Sequence, residues 1–420
     1  NELLVATYGG GLFIFDGIKC RTFSDQLVLR DKIIHKVIED KNGDIWMATQ
    51  DNGIARWKPN DSSLVYITKN EGLCNDHTSA ILQDSWGNLW FGSSGGGVSR
   101  FSGQMFMHYN ESSGIKGNYT FAMVVSSRDS TIWAGTSAKG VIRMKNGISI
   151  HYNEDSGFVN EKVKCIYEDR KGRIWFGTEG KGLWSKDTSG FFQLTTREGL
   201  SSNWIKDIAE DNFGNFWIAS AGGGISILNF DYRSSYDAKR MNHADIPDRI
   251  NCLLKDGEKI WFGTDQNDGA GFVIPKGANE EPEVIRFNEI NNNTIRAIRK
   301  AKSFIWMATA GKGVLRLKYT DGKLNFKYYG TNQGLTSNNI YLLEVDGEGN
   351  LWAGSENGID KIILKKNGDI ESVKHYGRNE GFTGIETAQN AACKGLNGEL
   401  WFGTISGLTK YNPNSVQKNN

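Results

Sequence analysis

A tryptophan recurs along the chain at intervals of 42 to 49 residues, and this period constrains the fold more than any other feature. The clearest copies contain an apolar stretch, Asp-x-x-Gly-x, an apolar residue, Trp, a spacer, Gly or Ala, and Thr or Ser, before a glycine-rich loop. One clear copy runs from Asp169 to Thr178. Tryptophan stands at positions 46, 90, 133, 175, 217, 261, 306, 352 and 401, and Leu4 takes its place in a tenth, N-terminal copy.

A period of this length, made of short apolar segments and turns, is typical of one four-stranded blade of a β-propeller. In the copy around Trp90 we predict strand A at 80–83, strand B at 88–93, strand C at 98–101 and strand D at 105–109. Asp84 would cap the A–B hairpin and Gly87 would supply a positive φ. The predicted fold class is therefore all-β, a propeller of four-stranded blades.

The repeated tryptophans are predicted to be core residues and not ligand platforms. A single blade cannot bury both of its faces, so an indole ring pressed on the neighbouring blade would fill the layer between the two. The small residue two positions later leaves room for this packing. Cys165, Cys252 and Cys393 lie in apolar segments and are predicted to be buried thiols.

Composition excludes several classes of function. Lys and Arg total 49 and Asp and Glu total 48, and a net charge of +1 argues against electrostatic binding to nucleic acid or an anionic membrane. No apolar run approaches the roughly 20 residues of a membrane helix, so we predict no membrane insertion by this chain. The five cysteines form no CxxC pair and argue against a disulfide framework.

Three segments carry a family resemblance: Thr336 to Ile340, Asp346 to Ser355 and Asn357 to Ile359. They resemble the two-component regulator propeller repeat, which occurs in the periplasmic sensor half of bacterial hybrid histidine kinases. The resemblance implies a periplasmic or extracellular sensor that binds a glycan or another small solute and signals to a two-component system. It also implies a membrane-bound kinase or a second copy of the chain as partner.

The number of blades is a separate question. Sensors of this family typically carry two seven-bladed propellers followed by a sandwich domain, whereas this chain has ten copies of the repeat. We predict that residues 1–412 form one nine- or ten-bladed ring, closed by joining the termini, with a polar tail at 413–420. The alternative is a seven-bladed ring plus part of a second. The unusual linker at 231–246 would be an extended loop or a seam between two rings.

A ligand site is predicted on the face where the B–C and D–A loops emerge around the axial opening. The B–C loops are small and glycine-rich, whereas the D–A loops carry larger and more varied side chains. Aromatic faces can stack on sugar rings, while amide, carboxylate and guanidinium groups can bind hydroxyls or carboxylates. The predicted ligand-binding residues are His77, Tyr119, Glu161, Trp204, Arg249 and Asn338.

No nucleotide-binding motif and no HExxH motif is present, so no catalytic residue, metal site or cofactor is predicted. The leading function is a binding module of the sensor type. One alternative is an enzyme, a propeller lyase or a glycoside-active protein, which would need a cluster of His, Glu or Tyr with shifted pKa values at the mouth. A second alternative is a scaffold for protein–protein contact, which would need a large apolar patch on a blade edge.

Overall fold

The computed structural model of the chain describes residues 2–23, 29, 31–41, 43–58, 63–69, 73–85, 88–101, 106–111, 115, 119–137, 140–145, 148–187, 190–231, 235–241, 243–276 and 280–413. The chain divides into two units. The N-terminal unit comprises Asn1–Met105 and Pro413–Asn420, and the ring unit comprises Phe106–Asn412. Antiparallel sheets make up both units, which confirms the all-β fold class.

The N-terminal unit holds three sheets with the strand orders β1-β2-β3, β4-β5-β6-β7 and β10-β9-β8. The strands are β1 (Leu3–Ala6), β2 (Leu12–Phe15), β3 (Cys20–Thr22), β4 (Ile34–Glu39), β5 (Ile45–Thr49), β6 (Ile54–Lys58), β7 (Ser63–Ile67), β8 (Thr78–Gln83), β9 (Leu89–Ser93) and β10 (Gly97–Phe101).

The ring unit holds seven four-stranded sheets, which we call blades 1 to 7. Blades 1 to 3 consist of β12 (Thr120–Val125), β13 (Ile132–Thr136), β14 (Val141–Lys145) and β15 (Ile148–Tyr152); β16 (Val163–Glu168), β17 (Ile174–Thr178), β18 (Leu183–Asp187) and β19 (Gly190–Leu194); and β20 (Ile205–Glu210), β21 (Phe216–Ser220), β22 (Ile225–Asp231) and β23 (Ser235–Arg240). Blades 4 and 5 consist of β24 (Ile250–Asp256), β25 (Lys259–Thr264), β26 (Ala270–Ile274) and β27 (Glu283–Arg286); and β28 (Ile295–Ala301), β29 (Phe304–Thr309), β30 (Val314–Thr320) and β31 (Lys323–Tyr329). Blades 6 and 7 consist of β32 (Leu342–Val345), β33 (Leu351–Ser355), β34 (Gly358–Leu364) and β35 (Ile370–Tyr376); and β36 (Thr387–Lys394), β37 (Leu400–Thr404), β38 (Gly407–Tyr411) and β11 (Phe106–Tyr109).

The seven blades close into a ring. The inner strands contact one another in the order β12, β16, β20, β24, β28, β32 and β36, and β36 contacts β12 again. Blade 7 takes its outer strand from the start of the unit, because β11 pairs with β38 from Phe106 opposite Tyr411 to Tyr109 opposite Leu408. Short 3-10 turns lie at Glu154–Ser156, Thr196–Glu198, Asn288–Ile290, Thr331–Gln333 and Arg378–Glu380.

This closure differs from the expected single ring of nine or ten blades through residues 1–412. The segment predicted as strand D of the Trp90 copy is β11, and it pairs with β38 instead of β10. The division between the units therefore lies at Met105 and Phe106, and not at the linker 231–246. Seven cyclically ordered blades in one unit and three sheets in the other fit the alternative of a seven-bladed ring plus part of a second.

The repeated Asp holds both the A–B turn and the tryptophan. In blade 2, Asp169 Oδ1 accepts the N–H groups of Lys171 and Arg173 at 2.9 Å, and Asp169 Oδ2 accepts the indole N–H of Trp175 at 3.0 Å. The same Asp-to-indole hydrogen bond joins Asp40 to Trp46, Asp84 to Trp90, Asp211 to Trp217 and Asp346 to Trp352. In the described part of the chain, the buried indole nitrogens of Trp261, Trp306 and Trp401 have no such partner.

Eight of the nine repeated tryptophans are buried, as predicted, whereas Trp90 is partly exposed. Trp175 of blade 2 shares a buried cluster with Ile205 and Ile218 of blade 3. Trp306 of blade 5 does the same with Leu343 of blade 6. Burying a large apolar side chain contributes roughly 1.5–3 kcal/mol, so the repeated indole is a main source of blade-to-blade stability.

Candidate functional site: the mouth of the central channel

Every inner strand of the ring unit begins at the same face, and in blades 1 to 5 a β-bulge interrupts its first pairs. One residue of each strand is left without a cross-strand partner at this point. Tyr341 takes the equivalent place just before β32, where its N–H donates to Gly354 O at 2.8 Å. Bulges re-aim side chains and are frequent beside functional sites. We call these six residues the mouth ring: Phe121, Lys164, Lys206, Asn251, Arg296 and Tyr341.

Aromatic and cationic side chains alternate on the side of the mouth formed by blades 1 to 3. Tyr119 stacks on Phe121 with ring centroids 4.5 Å apart. The ammonium of Lys164 lies 4.2 Å from the centroid of the Phe121 ring, a cation–π contact. Trp204 is 50% exposed in the loop that leads into blade 3, two residues before Lys206, so this loop presents an open indole.

The opposite side of the mouth, formed by blades 5 to 7, is organised by Arg296. Its guanidinium donates to Asn339 Oδ1 at 2.7 Å and lies 4.6 Å from the centroid of the Tyr341 ring. Asn339 in turn donates to the Tyr341 hydroxyl at 3.0 Å. The carboxylate of Glu356 accepts from Ser337 at 2.7 Å through one oxygen, while its buried second oxygen has no protein partner.

Side chains from opposite blades meet below the mouth. Asp207 of blade 3 accepts from the side chain of Asn390 of blade 7 at 3.2 Å and from the N–H of Leu253 at 2.9 Å. Arg299 of blade 5 donates to Asn390 Oδ1 at 3.3 Å and to Glu344 at 3.1 Å. This polar bridge spans the channel, so the mouth is a cup with a floor.

A longer bulge in blade 7 makes this bridge possible. Thr387 pairs with Thr404, but the next pair of the ladder is Ala392 with Phe402, so several residues of β36 leave the ladder together. Asn390 lies within this bulge at a φ of 53°. Its N–H donates to Tyr341 O at 3.0 Å, which anchors the bulge to blade 6.

The pKa values of the site follow from burial. Burial raises the pKa of Asp207 to about 6, against hydrogen bonds from Leu253 and Ile208 and the nearby charge of Arg299. Burial also lowers the pKa of Arg299, but the adjacent Glu344 carboxylate outweighs it, so the pKa of Arg299 is raised and the guanidinium stays charged. Burial lowers the pKa of Lys164; Glu179 opposes the shift, whereas Lys206 and Lys162 add to it.

Tyrosines at the mouth hold their protons tightly. Burial raises the pKa of Tyr119, and the charges of Glu386 and Tyr341 add to the effect. Burial raises the pKa of Tyr341 as well, together with Glu356 and Glu386. Both phenols therefore stay protonated at neutral pH, where they can donate hydrogen bonds but are poorly suited to act as bases.

Five of the six residues predicted to bind ligand lie in D–A loops of the ring unit: Tyr119, Glu161, Trp204, Arg249 and Asn338. His77 lies in the N-terminal unit, where its ring stacks on His35 with centroids 5.7 Å apart. The side chain of Asn338 accepts the N–H of Thr331 at 2.9 Å, and so it holds its own loop. The guanidinium Nη1 of Arg249 lies 3.9 Å from Asp265 Oδ2.

Sequence reasoning missed the mouth ring and the polar bridge below it. The signal for the mouth ring is a large or charged residue directly after the apolar residue that opens an inner strand, as in Val163-Lys164, Ile205-Lys206 and Ile295-Arg296. No comparable signal exists for Asp207 and Asn390, since their contact depends on which blades lie opposite each other.

The arrangement suits recognition of a polar solute with an apolar face. Four aromatic rings offer stacking surfaces, those of Tyr119, Phe121, Trp204 and Tyr341, and ammonium, guanidinium and phenol groups offer hydrogen-bond donors. Among the described residues, no group of three or more His, Cys, Asp or Glu side chains could hold a metal ion. Within the same residues, no helix combines the length and apolarity needed to cross a membrane.

The fold and the cup at its axis define a β-propeller built from tandem blades. Four segments of the chain match the two component regulator propeller repeat, at residues 72–95, 157–180, 199–222 and 334–357. The resemblance found in the sequence is therefore confirmed for these four segments. No protein in the curated sequence set matches it.

Solved structures share the fold at low sequence identity. The extracellular domain of BT3049, described as a hybrid two component system of B. thetaiotaomicron, is 22% identical with a TM-score of 0.65, over 98% of this chain and 60% of that one. The extracellular domain of BT4673 of the same organism, described as a one component system, is 19% identical with a TM-score of 0.60, over 100% of this chain and 58% of that one. This chain thus spans about 60% of the length of these two structures.

A streptogramin B lyase also shares the propeller fold. It is 17% identical with a TM-score of 0.55, over 73% of this chain and 97% of the lyase. At these identities the likeness establishes the fold alone, and function has to be argued from the mouth itself.

Proposed function

We propose that this chain is an extracytoplasmic sensor propeller that binds an oligosaccharide or a similar small solute at the channel mouth and passes the signal to a two-component system. The alternation of aromatic rings and hydrogen-bonding groups around the mouth, above a polar floor, is the observation that carries the proposal. The repeat family and the extracellular setting of the similar domains support the place of action.

Chemistry at the mouth favours an oligosaccharide. A sugar ring has one apolar face that stacks on an aromatic side chain, and its hydroxyls need donors and acceptors at the edge of that face. The Tyr119–Phe121 stack and the exposed Trp204 offer such faces, while Arg296 and Tyr341 offer donors across the opening. The floor made by Asp207 and Asn390 would stop a sugar chain from threading the axis, so it would bind in the cup.

Signal transfer would use a partner. We propose a membrane-bound kinase or a second copy of the chain in this role, with the blades staying rigid while loop contacts change. Light scattering on the purified chain, with and without a bound sugar, tests the second possibility. A shift from monomer to dimer supports it, and an unchanged monomer leaves the kinase as the proposed partner.

A screen of neutral and acidic oligosaccharides by thermal shift, followed by calorimetric titration, tests the binding function. We expect at least one sugar to stabilise the chain, and Tyr119→Ala and Tyr341→Ala to weaken its binding. Phe326→Ala is the matched control, since Phe326 is a partly exposed ring on the outer strand β31. Binding that ignores both mouth variants, or no binding at all, would contradict the proposal.

The same screen also tests the alternative that the chain is an enzyme. A propeller lyase would remove a proton next to a carbonyl group and expel a leaving group, which requires a base at the mouth. The raised pKa values of Tyr119 and Tyr341 work against a tyrosine in this role. An unsaturated product, detected by ultraviolet absorbance, or release of chromophore from a glycoside would favour the enzyme over the sensor.

A further inference from the structure

Lys164 and Lys206 occupy the same place in adjacent blades. Each is the bulge residue of its inner strand, and the strands β16 and β20 contact each other. Equivalent positions on neighbouring inner strands direct the two side chains to the same sector of the mouth. Two ammonium groups in one sector repel each other, and an anion bound between them would offset this repulsion.

The described residues around this pair supply too little negative charge to balance it. The Glu179 carboxylate forms an ion pair with Lys162, whose ammonium lies 3.2 Å away. No ion pair of Lys164 or Lys206 is found within the described part of the chain. The ion pair of Glu179 with Lys162 thus leaves the ammonium groups of Lys164 and Lys206 without a salt-bridge partner in the described part of the chain.

The rest of the sector is shaped for an organic anion. The Phe121 ring supports the Lys164 ammonium at 4.2 Å from its centroid, and Tyr119 backs that ring. Trp204, two residues before Lys206 in the chain, presents an open indole. A half-buried lysine is costly without a counter-charge, and the lowered pKa of Lys164, which desolvation causes together with Lys206 and Lys162, agrees with this.

We infer that Lys164 and Lys206 form an anion-binding subsite, which takes the carboxylate or sulfate group of an acidic saccharide while Phe121 and Trp204 contact its sugar ring. This inference rests on the proposed function, and it narrows the ligand to acidic sugars. Glu356 and Glu386 lie near Tyr341 in blades 6 and 7, outside the sector of blades 2 and 3, so an acid group would orient toward the lysine pair and away from these two carboxylates.

Lysine-resolved NMR tests the subsite directly. The lysines of the full chain are converted to ¹³C-dimethyl-lysine, and the Lys164 signal is identified by its loss in Lys164→Met. The probes are glucuronate, glucose 6-sulfate, inorganic sulfate and glucose. We expect the two acids to shift the Lys164 signal and to raise the midpoint of its pH titration, and glucose to do neither.

Replacing the second lysine tests the pairing. Lys206→Met should weaken binding of the acids by at least about tenfold, because a charge-assisted contact is lost. In the absence of any acid it should also raise the Lys164 titration midpoint, because one repulsive charge is gone. Lys327→Met is the matched control, since Lys327 lies 4.9 Å from the Tyr329 ring centroid on an outer strand. It should change neither quantity.

The outcomes separate this inference from the proposed function. A response to glucuronate alone points to a uronic acid, and a response to glucose 6-sulfate alone points to a sulfated sugar. If a neutral oligosaccharide binds with loss in Tyr119→Ala but Lys206→Met has no effect, the sensor function stands and the anion subsite is wrong. If inorganic sulfate shifts Lys164 but no sugar binds, the subsite stands and the sugar-binding function fails. A Lys164 signal indifferent to every acid overturns the subsite.

Discussion

Asn390 Nδ2 lies 3.2 Å from Asp207 Oδ2, although the two residues are 183 positions apart and belong to blades 7 and 3. In a ring of seven blades these two stand on opposite sides, so their hydrogen bond crosses the channel. It gives the mouth a floor and couples distant blades through one side-chain pair. Several consequences of this arrangement can be measured.

Removing the amide of Asn390 should destabilise the ring unit. Asn390→Ala leaves Asp207 and Arg299 each without one buried partner, and we expect a loss of about 1–3 kcal/mol in the free energy of unfolding. Urea unfolding measures it. Gln389→Ala is the control, because Gln389 is exposed in the same bulge. Equal, small losses in both variants would show that the bridge contributes nothing.

Stability should depend on the protonation of Asp207. Its pKa is about 6 in the folded chain, above the ordinary value of roughly 3.9 for an unfolded aspartate. Between about pH 4 and pH 6 the folded state therefore binds more protons, so this carboxyl makes the free energy of unfolding fall as the pH rises.

Asp207→Asn should remove that slope. Relative to the unmodified chain, the variant should gain roughly 2–3 kcal/mol of stability between pH 4 and pH 7, because the cost of ionising a buried acid disappears. Chemical unfolding at a series of pH values measures the difference. A constant difference across this range would mean that Asp207 ionises normally in the folded chain.

The Asp-to-indole hydrogen bond should be measurable by comparing two tryptophans. Trp175→Phe removes a ring and a hydrogen bond to Asp169, whereas Trp306→Phe removes a ring whose nitrogen has no partner among the described residues. Both indoles are fully buried, so the cavity costs are similar. We expect Trp175→Phe to cost about 1 kcal/mol more in thermal or urea unfolding. An equal cost would mean that the repeated Asp stabilises only the A–B turn and that its hydrogen bond to the indole adds nothing.

The glycine-rich B–C loops contain positions with different demands. A Cβ on Gly182, which has a φ of 74°, would lie 2.2 Å from Leu194 O, whereas one on Gly222, with a φ of 101°, would meet nothing within 4 Å. Gly222→Ala should cost about 1 kcal/mol from backbone strain alone. Gly182→Ala should cost at least roughly 2 kcal/mol more. Similar costs in urea unfolding would mean that the loop relaxes around the new methyl group.

Much of the blade could be predicted from the sequence because its information is local. The Asp, Gly and Trp of one copy lie within ten residues, and they form the turn and the buried indole that their spacing indicates, as Asp169 and Trp175 do. The period also separates core tryptophans from Trp204, which falls outside it and is exposed.

Ring closure could not be predicted from the same pattern. β11 has the alternation of any outer strand and could pair with β10 or with β38, since all copies present similar edges. The pairing of β11 with β38 joins segments far apart in the chain, and it depends on which seven blades complete the ring. The Asp207–Asn390 contact depends on that count, so it could not be predicted either.

The account depends most on recognition at the mouth ring, and amide hydrogen exchange with the tightest-binding oligosaccharide of the screen tests this most directly. We expect slower exchange at 119–122, 163–165, 204–207 and 338–342, which belong to separate blades but meet at the mouth. We expect no change in the outer strands β19, β31 and β35. Protection confined to outer strands or to the N-terminal unit, with the mouth segments unchanged, would contradict the account.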